Sequence, residues 1–169
     1  GRDEYEVRVR TPGSSREVLM TDVGFGVSQV LPVIVGCFYS APGSTTIMEQ
    51  PEIHLHPSVQ AGIADLFIEA ITMREDGAAR NAQLIVESHS EHLLRRLLRR
   101  IAEERLDTRL VRCYVVNHAR AGSRIEPLEV DDFGNVHNWP DNFFGDPAED
   151  LIAQSRSARE RRRRERATA

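Results

Sequence analysis

The amino-acid sequence predicts an α/β domain built on a parallel sheet. Short apolar or β-branched runs at 45–48, 82–87 and 110–117 have the composition of buried strands. Stretches with apolar residues at three- and four-residue spacing lie between them and read as helices. The resulting strand–helix–strand–helix–strand order needs crossover connections, which is how parallel strands are joined.

Taken in order, Tyr5 to Arg10 alternates in period two and predicts a strand with one wet face. Thr11-Pro12-Gly13-Ser14-Ser15 is a turn cluster, and Arg16 to Met20 is the returning strand of a hairpin. A glycine-containing loop, 21–29, opens a helix that is apolar nearly all round, which predicts burial. Pro32 falls in its first turns, where a missing N–H is tolerated. The strand Thr45 to Met48 ends in an acidic, proline-broken loop, and Pro57 starts a helix that runs to about Met73. Val59, Ile63, Leu66, Phe67, Ala70 and Ile71 share one stripe of it. A second buried strand, Ala82 to Glu87, carries Ser88-His89-Ser90 at its carboxyl end. A helix over Glu91–Glu104 turns its leucines inward and Arg95, Arg96, Arg99 and Arg100 outward. Leu110 to Asn117 predicts a third strand and Arg124 to Val130 a fourth. A turn at 131–135 and an aromatic segment, 138–144, follow; that segment is expected to fold back onto the sheet. The last helix runs out into Arg161–Arg164.

The 169 residues suit one domain with a real core. No apolar run approaches the roughly 18 residues of a membrane span, so no membrane partner is expected; the two cysteines of the chain point to a reducing, cytoplasmic setting. Cys37 and Cys113, each in an apolar run, predict buried free thiols. Net charge is −4, so bulk charge does not announce nucleic acid. All 22 basic residues are arginine. A phosphate-binding P-loop uses a lysine to reach the β- and γ-phosphates, and the chain has neither that lysine nor a glycine-rich loop of the required spacing.

Three loops, taken together, resemble one family. Val23-Gly24-Phe25-Gly26-Val27-Ser28-Gln29 is similar to the signature loop of ABC-type ATPases. Thr45 to Glu52 resembles a Walker B strand with its acidic loop, and Ser88-His89-Ser90 resembles the switch-histidine loop. The fuller phrases 49–57 and 86–90 are close to those of AAA/ABC-like ATPases related to the overcoming-lysogenization-defect nucleases and, more distantly, to structural-maintenance-of-chromosomes proteins. The segment Asn138-Trp139-Pro140 with Phe143-Phe144 resembles the carboxyl-terminal extension of a bacterial subgroup. The likeness covers roughly residues 17 to 145.

This resemblance implies a parallel-sheet P-loop NTPase half-domain that lacks the P-loop and carries a strand-and-helix extension. Its boundaries would be 1–118 for the ATPase lobe, 119–150 for the extension and 151–169 for an arginine-rich helix or tail. A missing amino-terminal segment or another chain would supply the P-loop, and the partner would be a second copy or a complementary ATPase lobe. The implied cofactors are ATP and Mg²⁺, and the implied activity is slow hydrolysis driving head dimerisation, in DNA-directed maintenance or phage defence.

The resemblance assigns roles residue by residue. Gly24, Gly26, Ser28, Gln29 and Ser88 are the nucleotide-binding candidates, because glycine lets backbone N–H groups approach an anion at a helix start. Glu49 is the Mg²⁺-side carboxylate, and His89 would contact the γ-phosphate and orient water. Gln50 stands where the family's catalytic glutamate usually does; an amide orients water but takes no proton from it. Glu52 is the nearest spare carboxylate and a candidate base. His54 and His56 lie where such ATPases cross the head–head interface, and with Glu52 they could also share a face toward a metal. Two other readings are open. One is a degenerate, non-hydrolysing head that binds DNA or protein. The other is a metal-dependent nuclease using Glu126, Glu129, Asp131 and Asp132. Arg95, Arg96, Arg99, Arg100 and the Arg161–Arg164 run could track a nucleic-acid backbone, although solvated faces are the commoner outcome.

Overall fold

The structure is a computed structural model; it describes residues 6–10, 13, 15–22, 24–119, 122–140, 143–144 and 147–167. Tyr5, Thr11, Pro12, Ser14, Val23 and Asp141–Asn142, covered by the expectations above, lie outside the described residues. The chain divides into two units, 1–113 with 130–135, and 114–129 with 136–169.

In the first unit, β1 (Arg8–Arg10) and β2 (Glu17–Leu19) form the expected antiparallel hairpin. After a short 3₁₀ turn comes α1 (Phe25–Phe38). Then follow β3 (Thr45–Glu49), α2 (Pro57–Thr72), a two-residue hairpin β4 (Arg74–Glu75) and β5 (Ala78–Ala79), β6 (Gln83–Glu87) and α3 (Glu91–Ala102). The tight turn of that hairpin holds Asp76 at φ 50° and Gly77 at φ 80°, the left-handed pair that an Asp-Gly sequence favours.

β3 and β6 are neighbours, parallel and in register from Thr45–Gln83 to Glu49–Glu87. Thr46, Met48, Leu84 and Val86 point to one face, where the core gathers Val33, Cys37, Leu55, Ile63, Ala64, Phe67, Ala70 and Leu93. α1 comes close enough to β3 that a Cβ on Gly36 would stand 3.3 Å from the Met48 side chain. Burial pushes the Cys37 thiol up to about 11, so it behaves as a small apolar core group. The opposite face carries Ile47, 69% exposed, and Ile85, 51% exposed, beside the Thr45–Gln83 hydrogen bond of 2.9 Å. Parallel sheets are ordinarily covered on both faces, and this one is covered on one.

Arg80 is buried and was not foreseen. Its Nη1 donates to Phe38 O at 3.0 Å and its Nη2 to Ser40 O, so a cation closes the carbonyl end of α1. The outward arginines of α3 are also engaged. Arg95 meets Glu91 at 2.5 Å, Arg99 meets Glu103 at 2.6 Å, and Arg96 and Arg100 meet Asp65 on α2 at 2.9 and 2.6 Å. The hydrogen bond from Arg100 holds the Asp65 carboxyl below its ordinary value of 3.8, helped by the nearby charges of Arg100 and Arg96. A depressed carboxyl stabilises the fold at pH above its unfolded value and loses that contribution as pH falls through the folded one. An Asp65→Asn chain should therefore show a flatter loss of stability below about pH 4 than the parent, in thermal unfolding followed across pH 2 to 6.

One expectation is corrected. The strand predicted at 110–117 does not join the parallel sheet. Residues Thr108–Leu110 form a 3₁₀ turn, and the strand proper, β7 (Tyr114–Ala119), pairs antiparallel with β8 (Gly122–Pro127) in the second unit. Among the described residues the parallel sheet thus has two strands. In β7 Val115 is buried while Tyr114, Val116, Asn117 and His118 are exposed, and β8 is exposed along its length, so this hairpin is wet nearly throughout. Asn138 pins the following segment, accepting from Glu129 N at 2.7 Å and donating to Pro127 O at 2.8 Å. Trp139, Phe143 and Phe144 pack on one another, with ring centroids 4.4 to 6.2 Å apart. The chain continues in α4 (Pro147–Ala167), which stays helical through the arginine run.

No helix among the described residues is long and apolar enough to cross a membrane.

Candidate functional site

The site forms where β3 and β6 end side by side. The ladder carries one bond past the strands, from Gln50 N to Glu87 O at 2.9 Å. Glu49 and His89 therefore stand at the same end of adjacent strands, two carboxylates (Glu49 and Glu87) occupying one register position. Both point to the exposed face. Like charges directly opposite repel, so this pair favours a cation between or above them. His89 Nε2 lies 3.0 Å from Glu87 Oε1, which gives the imidazole an orienting partner that sequence reading did not name. The signal was available: Glu87 sits two residues before His89, on the same side of an extended chain.

Behind Glu49 the backbone turns sharply. Gln50 adopts φ 45° and His54 φ 63°, left-handed values uncommon for residues with side chains. Such conformations cost about 1–2 kcal/mol each and persist where surrounding structure holds them. What holds this turn is Glu52. Its side chain is buried, 5% exposed, and its Oε1 accepts from Ser88 Oγ at 2.7 Å and from His89 N at 2.9 Å. Its Oε2 is buried with no hydrogen-bond partner among the described residues. The network continues. Ser90 N donates to Ser88 Oγ at 3.1 Å, Ser90 Oγ donates to Gln60 Oε1 at 2.7 Å, and Gln60 Nε2 donates to Leu55 O at 3.0 Å. Ser90 Oγ also caps α3 by accepting from Leu93 N. One connected set of polar groups thus fastens the acidic loop to the histidine loop.

The other sequence candidates are placed as follows. Gly24 precedes α1 with open space around it and φ −56°, ψ 147°, an ordinary extended backbone. Gly26 lies inside α1, and a Cβ there would stand 3.3 Å from Leu55 and 3.8 Å from His54 O. Its missing side chain lets the start of α1 approach the acidic loop of the same chain. Ser28 and Gln29 follow in the first turns of α1, both half-buried. His56 caps α2, its Nδ1 accepting from Ser58 N at 3.3 Å.

Among the described residues no group of three or more His, Cys, Asp or Glu side chains is placed to hold a metal ion. That bears on the Glu52–His54–His56 reading and on the nuclease reading. Asp131 instead folds its own turn, accepting from Phe133 N and Asn135 N, while Asp132 accepts from Thr108 Oγ1 and Glu126 from Asn117. Glu49 and Glu87 alone suit a hard cation that brings most of its oxygen ligands with it, as Mg²⁺ on a phosphate chain does.

Comparison with known families gives two matches. A family model described as "AAA domain, putative AbiEii toxin, Type IV TA system" matches residues 4–95. A second, described as a protein of unknown function, DUF3696, matches residues 106–154. No curated protein and no solved structure matches.

Proposed function

We propose a function from one premise: the chain belongs to the AAA domain family that this first description names, a family of ATP-binding, ATPase-type domains. The reading is that the chain is the carboxyl-terminal lobe of an ABC-type ATPase head, binding ATP with Mg²⁺ and hydrolysing it slowly. The observation that carries it is the convergence of Glu49, Gln50 and His89 at one end of two registered parallel strands. Functional groups of open α/β sheets sit at that carboxyl end.

In this reading Glu49 is the carboxylate on the cation side, and Glu87 keeps the His89 ring turned toward the same face. Bound there, Mg²⁺ would neutralise charge on the phosphate oxygens. Gln50, held in its left-handed turn, orients water through its amide without taking a proton, which makes turnover slow. Glu52 holds Ser88 and His89 in place from behind. Gly24, Ser28 and Gln29, at the start of α1, face nucleotide bound by a second head. The P-loop comes from another segment or chain, because no lysine is present to serve it. That complementary lobe also covers the bare Ile47–Ile85 face. Paired heads would act in DNA-directed maintenance or phage defence, as the motif resemblance implies.

The test combines this chain with the lobe that carries the P-loop and follows phosphate release. Glu49→Gln and His89→Ala should each slow turnover by about 10²-fold or more, and Gln50→Glu should raise it. By calorimetry the chain on its own should show no micromolar Mg·ATP binding. Turnover indifferent to both Glu49 and His89 would overturn the reading. A head without turnover is the second reading, favoured by Gln50 alone; it predicts nucleotide binding with no phosphate release even after Gln50→Glu.

A further inference from the structure

We infer that α4 is a nucleic-acid contact surface that binds the phosphate backbone through one arginine face. The inference stands apart from the nucleotide reading and rests on a contrast between two helices. On α3 the arginines are neutralised inside the chain: Arg95, Arg96, Arg99 and Arg100 each meet a carboxylate at 2.5 to 2.9 Å. On α4, Arg156, Arg159, Arg162 and Arg163 are exposed and have no hydrogen bond or ion pair among the described residues. Glu160 pairs instead with Arg164, at 3.9 Å, which is not one of the four.

The four residues share a face. At roughly 100° per residue they fall within an arc of about 120°, and they span about 10 Å along the axis. Glu160 borders that arc, about 40° beyond its Arg156 edge. Arginines at three- and four-residue spacing repel one another, so the face carries a field that a polyanion relieves. Each strand of a duplex presents about one phosphate per 3.4 Å of axis, so about three phosphates of a strand fall within a 10 Å stretch. Each guanidinium can grip phosphate oxygens in a bidentate fork, which an ammonium cannot.

The composition favours nucleic acid over a membrane surface. Helices that lie on bilayers set large apolar residues opposite the basic ones. Residues 153–166 contain none: they hold seven arginines and two glutamates among alanine, serine and glutamine. Whole-chain charge does not explain an attraction either, since the net is −4. The contacts envisaged are to phosphate, so binding should be indifferent to base sequence.

Fluorescence anisotropy of the whole chain with labelled 20-base-pair duplexes of two unrelated sequences tests this. Both duplexes should bind alike, and log K should fall against log salt with a slope of about −3 to −4 between 50 and 200 mM. Changing Arg156, Arg159, Arg162 and Arg163 together to glutamine should weaken binding at least tenfold at 50 mM salt and remove most of the slope. Arg95→Gln with Arg99→Gln, on the neutralised helix, should leave affinity within twofold. Circular dichroism checks that helix content survives the changes. No binding at 50 mM salt would overturn the inference. So would a slope unchanged by the fourfold variant, equal weakening by the α3 pair, or tighter binding to phosphatidylserine vesicles than to duplex.

Discussion

Exchanging Glu52 for alanine is expected to lower the unfolding free energy by about 2–4 kcal/mol, because it strips the acceptor from the Ser88 hydroxyl and the His89 amide. Each donor left unsatisfied in a sheltered place costs about 1–3 kcal/mol. Urea unfolding measures the loss. Hydrogen exchange should show the His89 amide opening locally before the core does. Glu52→Gln separates bracing from proton transfer. Glutamine keeps an oxygen where Oε1 accepts, so the amide of His89 should stay protected. Its NH₂ would stand where Oε2 has no partner among the described residues, at a cost of about 1–2 kcal/mol. In a turnover assay with the complementary lobe, a brace predicts that Glu52→Gln retains most of the rate and Glu52→Ala loses it. A general base predicts a loss of about 10²-fold or more in both. The burial of Glu52 and its two donors favour the brace. If Glu52→Ala left both stability and the protection of His89 unchanged, the coupling of the two loops would be refuted.

The second large effect is expected at Gly134. This residue adopts φ 77°, and a Cβ built on it would lie 2.3 Å from Leu98 O on α3. Gly134→Ala adds the left-handed penalty of about 1–2 kcal/mol to a clash with backbone that has no soft neighbour to yield, so a loss of about 3 kcal/mol or more follows. Gly77 is the control. It has φ 80° but nothing within 4 Å of the added carbon, so Gly77→Ala should cost only the conformational part, about 1 kcal/mol. Equal midpoints for the two variants in urea would show that the turn at 131–135 does not seat against α3. The seat matters because that turn is separated from α3 by some thirty residues and closes the first unit after the chain has left it.

Much of the first unit was legible in the sequence. The runs at 45–48 and 82–87 are β-branched and apolar, the stretches after them carry apolar stripes at helical spacing, and Pro57 and Ser90 mark helix starts by local chemistry. Periodicity and capping act within a few residues, so they survive in any fold the chain adopts. The same locality placed Glu49, Gln50 and His89 at strand ends. The strand near 114–119 was legible too, but not its partner. A short apolar run suits a buried parallel strand and a strand of an exposed hairpin equally, and the choice is made by which edge is free in space. Glu52 and Arg80 were beyond reach for a related reason. A buried carboxylate is tolerated only when donors surround it, and those donors lie 36 and 37 positions away. The arginines of α3 and α4 make the point most plainly. As sequence they are two similar basic runs. Folding sets Asp65 from α2 against one of them and, among the described residues, pairs no acid with four residues of the other, because a charge is neutralised by what the tertiary structure places beside it, not by its neighbours in the chain.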